Sequence, residues 1–213
     1  MTDNRQTWAF IHAERSAIVE MLETLTPDQW ATPSLCTGWS VHRAAAHLVA
    51  SAEQTAPSFI AGMARSGFRF NTMIERDVRR LGALEPAEIV ARIRARTATT
   101  NRPPAPVMAM LGEVVVHGED IRRPLGLSRV VPPRASAACL EMYKAATFPV
   151  GGKRRMAGLR LVATDTDWSC GDGPTVSGPA LSLMLAMTGR AVGGEDLTGD
   201  GVDTFRSRLV GAA

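Results

Sequence analysis

The segment GEVVVHGED, residues 112–120, sets a glutamate and a histidine four positions apart around three valines. On propensity alone Val114, Val115 and Val116 favour a strand, because β-branched side chains suit a pleated surface. In a strand Glu113 and His117 stand roughly 13 Å apart, at about 3.3 Å per residue. On a helix the same pair is separated by a rise of about 6 Å and lies within about 40° on one face. The strand makes them two unrelated residues, and the helix makes them a chelating pair. Gly112 and Gly118 weigh against the helix, being poor helix formers. The flanks weigh for it: Pro106 stands where a helix can start, and Pro124 and Gly126 form a stop. A run of about eighteen residues is long for a strand and ordinary for a helix. The helix is the better reading.

The segments around it are helical too. Residues 5–24 place Trp8, Ile11, Ile18 and Leu22 near a 3.6-residue period before Pro27 breaks the pattern. Within residues 34–63, Gly38 precedes Ser40, a good N-cap for a long alanine-rich helix that Pro57 kinks or ends. Residues 85–100 form a third helix with a proline in its first turn, NRPPAP (101–106) is a turn, and residues 133–148 form a further helix. Composition changes at PVGGKRR (149–155). Beyond it LRLVATD reads as a strand, WSCGDGPTVSG as two short strands around a glycine-rich turn, and PALSLMLAMTGR as a buried helix. The expected fold is therefore mainly α, with a helical bundle over residues 1–148 and a small α/β domain over 149–213.

Composition narrows the function classes. Of the 213 residues, 45% are hydrophobic and 21% charged, which supports a packed core and excludes a disordered chain. The net charge of +3 is mild, the arginines are scattered and aromatics make up only 5%, so the basic face and stacking rings of a nucleic-acid binder are missing. No apolar run approaches the ~20 residues that cross a bilayer. The first ten residues hold polar and acidic side chains where a signal peptide carries an apolar stretch. Cys36, Cys139 and Cys170 are widely spaced without a CxxC pair, as in a reducing compartment. These features predict a cytoplasmic protein with neither a nucleic-acid nor a membrane partner.

With Glu113 and His117 on one helix face, His47 supplies a third ligand from the helix that begins near Ser40. Two ligands at i,i+4 and a third from a neighbouring helix is how bundles build metal sites. A His, His, Glu set leaves zinc an open position for water or substrate, the catalytic style of site. Asp120, two turns beyond Glu113, is placed to orient His117 from behind. The plainer readings are a histidine packed among alanines and an ordinary helix pair. His42 lies about 140° round the helix from His47 and cannot readily share the site. Cys36 reads as a nucleophile, a fourth ligand or, more simply, a small buried thiol. Arg122 and Arg123 either bind an anion or complement a helix C-terminus.

LCTGWSVHRAAAHLVA (35–50) and GEVVVHGEDIRRPLG (112–126) resemble the two signatures of the mycothiol-dependent maleylpyruvate isomerase family: a Gly-Trp-Ser turn leading into a His-Leu helix, and a His-Gly-x-Asp segment. GPALSLMLAMTGR (178–190) resembles the helix and Thr-Gly-Arg turn of that family's small C-terminal domain. The resemblance implies a DinB-like four-helix bundle followed by a small α/β domain of sterol-carrier-like fold. It implies a divalent metal, most simply Zn2+, on His47, Glu113 and His117, the triad that spacing also selects. It also implies mycothiol as co-substrate and Arg190 as an arginine supplied by the second domain; Asp120, Arg122 and Arg123 join the site on the reading of the residues alone. The chemistry expected is isomerisation of a cis-enone acid by thiol addition and expulsion, or transfer of the thiol to an electrophile. A metal-dependent hydrolase, a non-catalytic metal- or ligand-binding module and a lipid carrier are the alternatives, the last disfavoured by the short C-terminal domain.

Overall fold

The computed structural model describes residues 3–209. By packing, the chain divides into two compact units, Asp3–Arg129 and the part from Val130 onward. The first unit comprises α1 (Asn4–Leu22), α2 (Pro27–Ala31), α3 (Val41–Glu53), α4 (Ala56–Arg65), α5 (Phe70–Leu81), α6 (Pro86–Arg94) and α7 (Val107–Arg122). Helix α7 packs against α1 and α3, and α6 packs against the same two, so these four close a ring. That ring is the four-helix bundle. Helix α5 lies on α3, α4 on α5, and α2 on α3.

The stretch that propensity leaves between strand and helix is helix α7, and its burial explains the valines. Twelve of its sixteen residues are buried, Val114, Val115 and Val116 among them. A helix that is apolar on nearly every side belongs in an interior, where packing outweighs the modest helix penalty of a β-branched side chain. The four residues that are not buried are Met108, Ala109, Glu113 and His117. Ala109, Glu113 and His117 follow one another at i, i+4 and i+8, so the chelating pair sits on the one strip of α7 left partly open.

Two local details differ from the sequence reading. The alanine-rich helix ends at Glu53, and Pro57 opens α4 rather than kinking α3: Thr55 caps α4 with a capping box, and Pro57 occupies its first turn. Helix α5 has no counterpart in the sequence reading, because its polar sequence buries only Met73, Val78 and Leu81.

The C-terminal unit holds α8 (Pro133–Tyr143), α9 (Gly152–Arg155), β1 (Arg160–Ala163), β2 (Ser169–Cys170), β3 (Thr175–Gly178), α10 (Ala180–Met187) and α11 (Val202–Ser207). The sheet order is β2-β1-β3, with β2 antiparallel and β3 parallel to β1. Leu161 pairs with both Cys170 and Val176. The turn between β2 and β3 needs Gly173, whose φ of 120° brings its Cα to the backbone of Gly158: an added Cβ would lie 2.4 Å from that carbonyl oxygen. Seven of the eight residues of α10 are buried, and α8 packs along it.

Helix α8 thus groups with the C-terminal unit, and the composition change at residue 149 falls inside that unit rather than at its edge. Cys139, Leu140 and Tyr143 of α8 are buried, and α10 is the helix it packs along. We expect a fragment ending at Arg129 to melt cooperatively as a helical protein. A fragment ending at Phe148 should bind a hydrophobic dye more strongly, because α8 loses its partner. Dye fluorescence and thermal melts of the two fragments decide it; a shorter fragment that fails to fold while the longer one melts cooperatively would make α8 a member of the bundle.

Candidate metal centre

Helix α3 is started by Ser40, whose hydroxyl accepts from the amide of Arg43. Its Ala44, Ala45 and Ala46 are fully buried, and small side chains there allow α3 to lie close to α7. One position on, His47 is 6% exposed and reaches across to α7. Its Nε2 lies 2.5 Å from Glu113 Oε1, and the same oxygen lies 3.6 Å from His117 Nε2. The two imidazoles meet edge to face, with ring centroids 4.6 Å apart.

The donor set fits a small dication. One ligand atom from each of His47, Glu113 and His117 lies within 4.8 Å of the others. Bonds of about 2.0–2.1 Å to a shared tetrahedral ion put ligand atoms about 3.3 Å apart, a spacing that the 2.5 and 3.6 Å separations straddle. Glu113 is the most open of the three, its side chain 33% exposed against 8% and 14% for the histidines. Access to the cluster is therefore on the Glu113 side.

Asp120 supplies what such a centre needs behind the ligand. Its carboxylate is fully buried, and its Oδ2 accepts from His117 Nδ1 at 2.8 Å. That bond fixes the tautomer and turns Nε2 toward Glu113 and His47. The thiol of Cys36 donates to the same Oδ2 at 3.0 Å and lies 3.5 Å from His117 Nδ1. His47 lacks equivalent support: its Nδ1 is buried without a hydrogen-bond partner. A buried polar atom left unpaired costs on the order of 1–3 kcal/mol, so His117 is the better anchored of the two imidazoles.

The remaining residues singled out from the sequence fall in different places. Arg122 is buried, its Nη1 2.6 Å from Glu14 Oε1 and 3.3 Å from Glu119 Oε1. An anion reaching it would have to displace a carboxylate. Arg123 pairs with Glu119 Oε2 at 2.9 Å and keeps 28% of its side chain exposed. Gly118 lies under the Glu14–Arg122 pair, where a Cβ would come within 2.9 Å of Arg122 Nη1 and 3.1 Å of Glu14 Oε1. Arg190 belongs to the C-terminal unit, follows α10 and donates to the Thr188 carbonyl at 3.1 Å. Asp120, with no exposure, has no surface to offer an incoming molecule.

Two contributors, Glu119 and Trp39, escaped the sequence reading, and Cys36 was read there with its role left open between nucleophile, fourth ligand and buried thiol. Glu119 signalled itself through arginines at i+3 and i+4, the spacing of helix ion pairs. Trp39 gave no such signal, since it reaches the site from a loop, and the same loop sets the direction of the Cys36 thiol. Trp39 packs its ring 5.3 Å from that of His47, and its Nε1 donates to Glu75 Oε1 at 2.9 Å, while Arg43 holds Oε2 of that carboxylate.

The chain matches the family model described as "Mycothiol maleylpyruvate isomerase N-terminal domain" over residues 11–122. Two solved structures are similar over 93% of both chains. One is a histidine-to-alanine mutant of the mycothiol-dependent maleylpyruvate isomerase, at 15% identity and a TM-score of 0.63. The other is that isomerase without the substitution, at 14% identity and 0.58. At such identities the likeness is one of fold. No curated protein matches the chain by sequence.

Burial alone would lower the pKa of His117, but Glu113, the hydrogen bonds to Asp120 and Cys36, and the Asp120 charge overcome it and push the group up to about 10. In the metal-free protein His117 is thus an imidazolium between two carboxylates. Because its folded pKa lies above the unfolded value, its contribution to stability is fully present below pH about 6.5 and is lost as pH rises through about 10. Metal binding at Nε2 must displace that proton. We expect roughly one proton released by His117 per Zn2+ at pH 7.5, and affinity rising about tenfold per pH unit from this group below pH 10. Calorimetry in buffers of different ionisation enthalpy measures both; binding with no proton release would remove His117 from the ligand set.

Proposed function

The chain belongs to the mycothiol maleylpyruvate isomerase family by its match over residues 11–122, and from that membership we propose a metal-dependent enzyme of small-thiol chemistry. The observation that carries the proposal is the His47, Glu113, His117 cluster, open on the Glu113 side and backed by Asp120. Two neutral imidazoles and one carboxylate leave a bound Zn2+ a net charge of about +1, which favours the thiolate form of an incoming thiol near neutral pH.

The chain's own residues do the rest. Asp120 keeps the His117 Nδ1 proton in place, so that Nε2 presents a lone pair to the front of the site. Trp39 and the buried alanines of α3 close the flanks of His47 against water. Released at the exposed edge of Glu113, the thiol proton passes to solvent. In the isomerase reading, the thiolate sulfur adds to the β-carbon of a cis-enone acid and the double-bond electrons move onto the carbonyl oxygen. Rotation follows about the new single bond, and the electron pair then returns to expel the thiolate and leave the trans isomer. No atom is gained or lost. The substrate carboxylate needs a cation, and the half-buried Arg123 is the group we assign to it, as a paired hydrogen-bond donor.

Isomerisation of a maleylpyruvate-type substrate with mycothiol is the reading the family and the similar structures support; transfer of the same thiol to an electrophile shares its first step. Zn2+-loaded protein should isomerise maleylpyruvate in the presence of mycothiol, and metal-stripped protein should not. H47A and H117A should lose the metal and the activity together. Mycothiol consumption with an electrophile and no isomerisation would establish the transferase instead. Turnover without any thiol would establish a hydrolase, and thiol binding without turnover a binding module.

A further inference from the structure

We propose that Cys36 is a positioning residue of the metal centre: its thiol clamps the Asp120 carboxylate that orients His117. The proposal rests on the metal-centre reading given above and extends it to the loop between α2 and α3. This loop is closed on itself by Val41 N to Thr32 O at 2.8 Å, Ser34 N to Trp39 O at 2.9 Å and Trp39 N to Cys36 O at 2.9 Å. Gly38 makes the turn, with a φ of 75° that a residue with a Cβ adopts only under strain. Ser34 Oγ accepts from the amide of Cys36 at 3.1 Å and donates to the Trp39 carbonyl at 2.9 Å. The thiol is thus delivered from a built turn.

The loop grips Asp120 twice. Leu35 N donates to the Asp120 backbone carbonyl at 3.1 Å, and Cys36 Sγ donates to Oδ2 at 3.0 Å. Oδ2 is also the oxygen that holds His117 Nδ1. A carboxylate that shares one oxygen between two donors cannot swing about its χ2 without breaking both bonds. The thiol therefore restricts the carboxylate, and the carboxylate restricts the imidazole. Sγ lies on the Nδ1 side of His117, the side opposite Nε2, so it stands outside the His47, Glu113, His117 set. A thiol is a weak donor, yet no water reaches Asp120 to replace it, since the carboxylate is fully buried. Trp39 of the same loop packs against His47, and the loop as a whole steadies both histidines.

The test uses Co2+ as probe, with full-length wild type, C36S, C36A, D120A and the C36A/D120A double variant. Serine keeps the donor and alanine removes it. We expect C36A to weaken Co2+ affinity by about ten- to a hundredfold, the range for groups that orient a ligand, and C36S to stay close to wild type. In the D120A background C36A should add nothing, because Cys36 acts through Asp120. Thermal melts of the metal-free proteins should not track these losses, as they would if the thiol only packed the fold. Unchanged affinity in C36A, or an additive cost in the double variant, overturns the proposal. A sulfur-to-cobalt charge-transfer band in the wild type also overturns it, making Cys36 a ligand. Failure of the wild type to bind Co2+ would instead overturn the metal-centre reading itself, and this proposal with it.

Discussion

A carboxylate with no access to water, Asp120, governs the arrangement of the site. Burying an unpaired charge is prohibitive, so every donor near Asp120 is committed by its presence. His117 Nδ1 must face it, which leaves Nε2 facing the other way, toward Glu113 and His47. The 33–40 loop must fold back to it, which brings Trp39 against His47. Turning one imidazole thus sets the direction of the whole donor set.

The same helix carries a second buried charge cluster with a different purpose. Glu119 and Arg122 of α7, with Glu14 of α1, form ion pairs whose three side chains are each under 5% exposed. The pair crosses Gly118, the one residue type small enough for that approach. Replacing such pairs by apolar groups often costs little, whereas removing one partner alone costs several kcal/mol. The Glu14–Arg122 pair ties α1 to α7, the helix that carries Glu113 and His117. Four consecutive residues, His117 to Asp120, thus do four jobs. His117 is a donor of the candidate cluster, Gly118 lets the helices approach, Glu119 pairs with Arg122 and Arg123, and Asp120 accepts from His117 Nδ1.

Much of this was legible in the sequence, for reasons that can be named. Period and spacing are helical properties, so Glu113, His117 and Asp120 could be placed on α7 once its flanks ruled out a strand, and His47 on a second helix. The mainly α fold and the small C-terminal sheet followed from the same reasoning. The three valines misdirect because propensity scales describe exposed helices, while α7 is enclosed by its neighbours. Helix α5 went unread because it is polar on balance and buries only three of its twelve residues. Trp39, and the direction of the Cys36 thiol, were illegible for another reason. A loop has no period, and its side chains acquire direction from a glycine turn and from bonds to a helix 85 residues away in sequence, such as Leu35 N to Asp120 O. Arg122 looked available for an anion because its partner Glu14 lies on a different helix.

Anomalous diffraction at the zinc absorption edge, on crystals of Zn2+-loaded protein, tests the central claim most directly. The account predicts one peak per chain, bonded to His47 Nε2, His117 Nε2 and a Glu113 carboxylate oxygen, with His117 Nδ1 still on Asp120. A peak on the other side of His117, between Cys36 and Asp120, or no peak in the bundle at all, would contradict it.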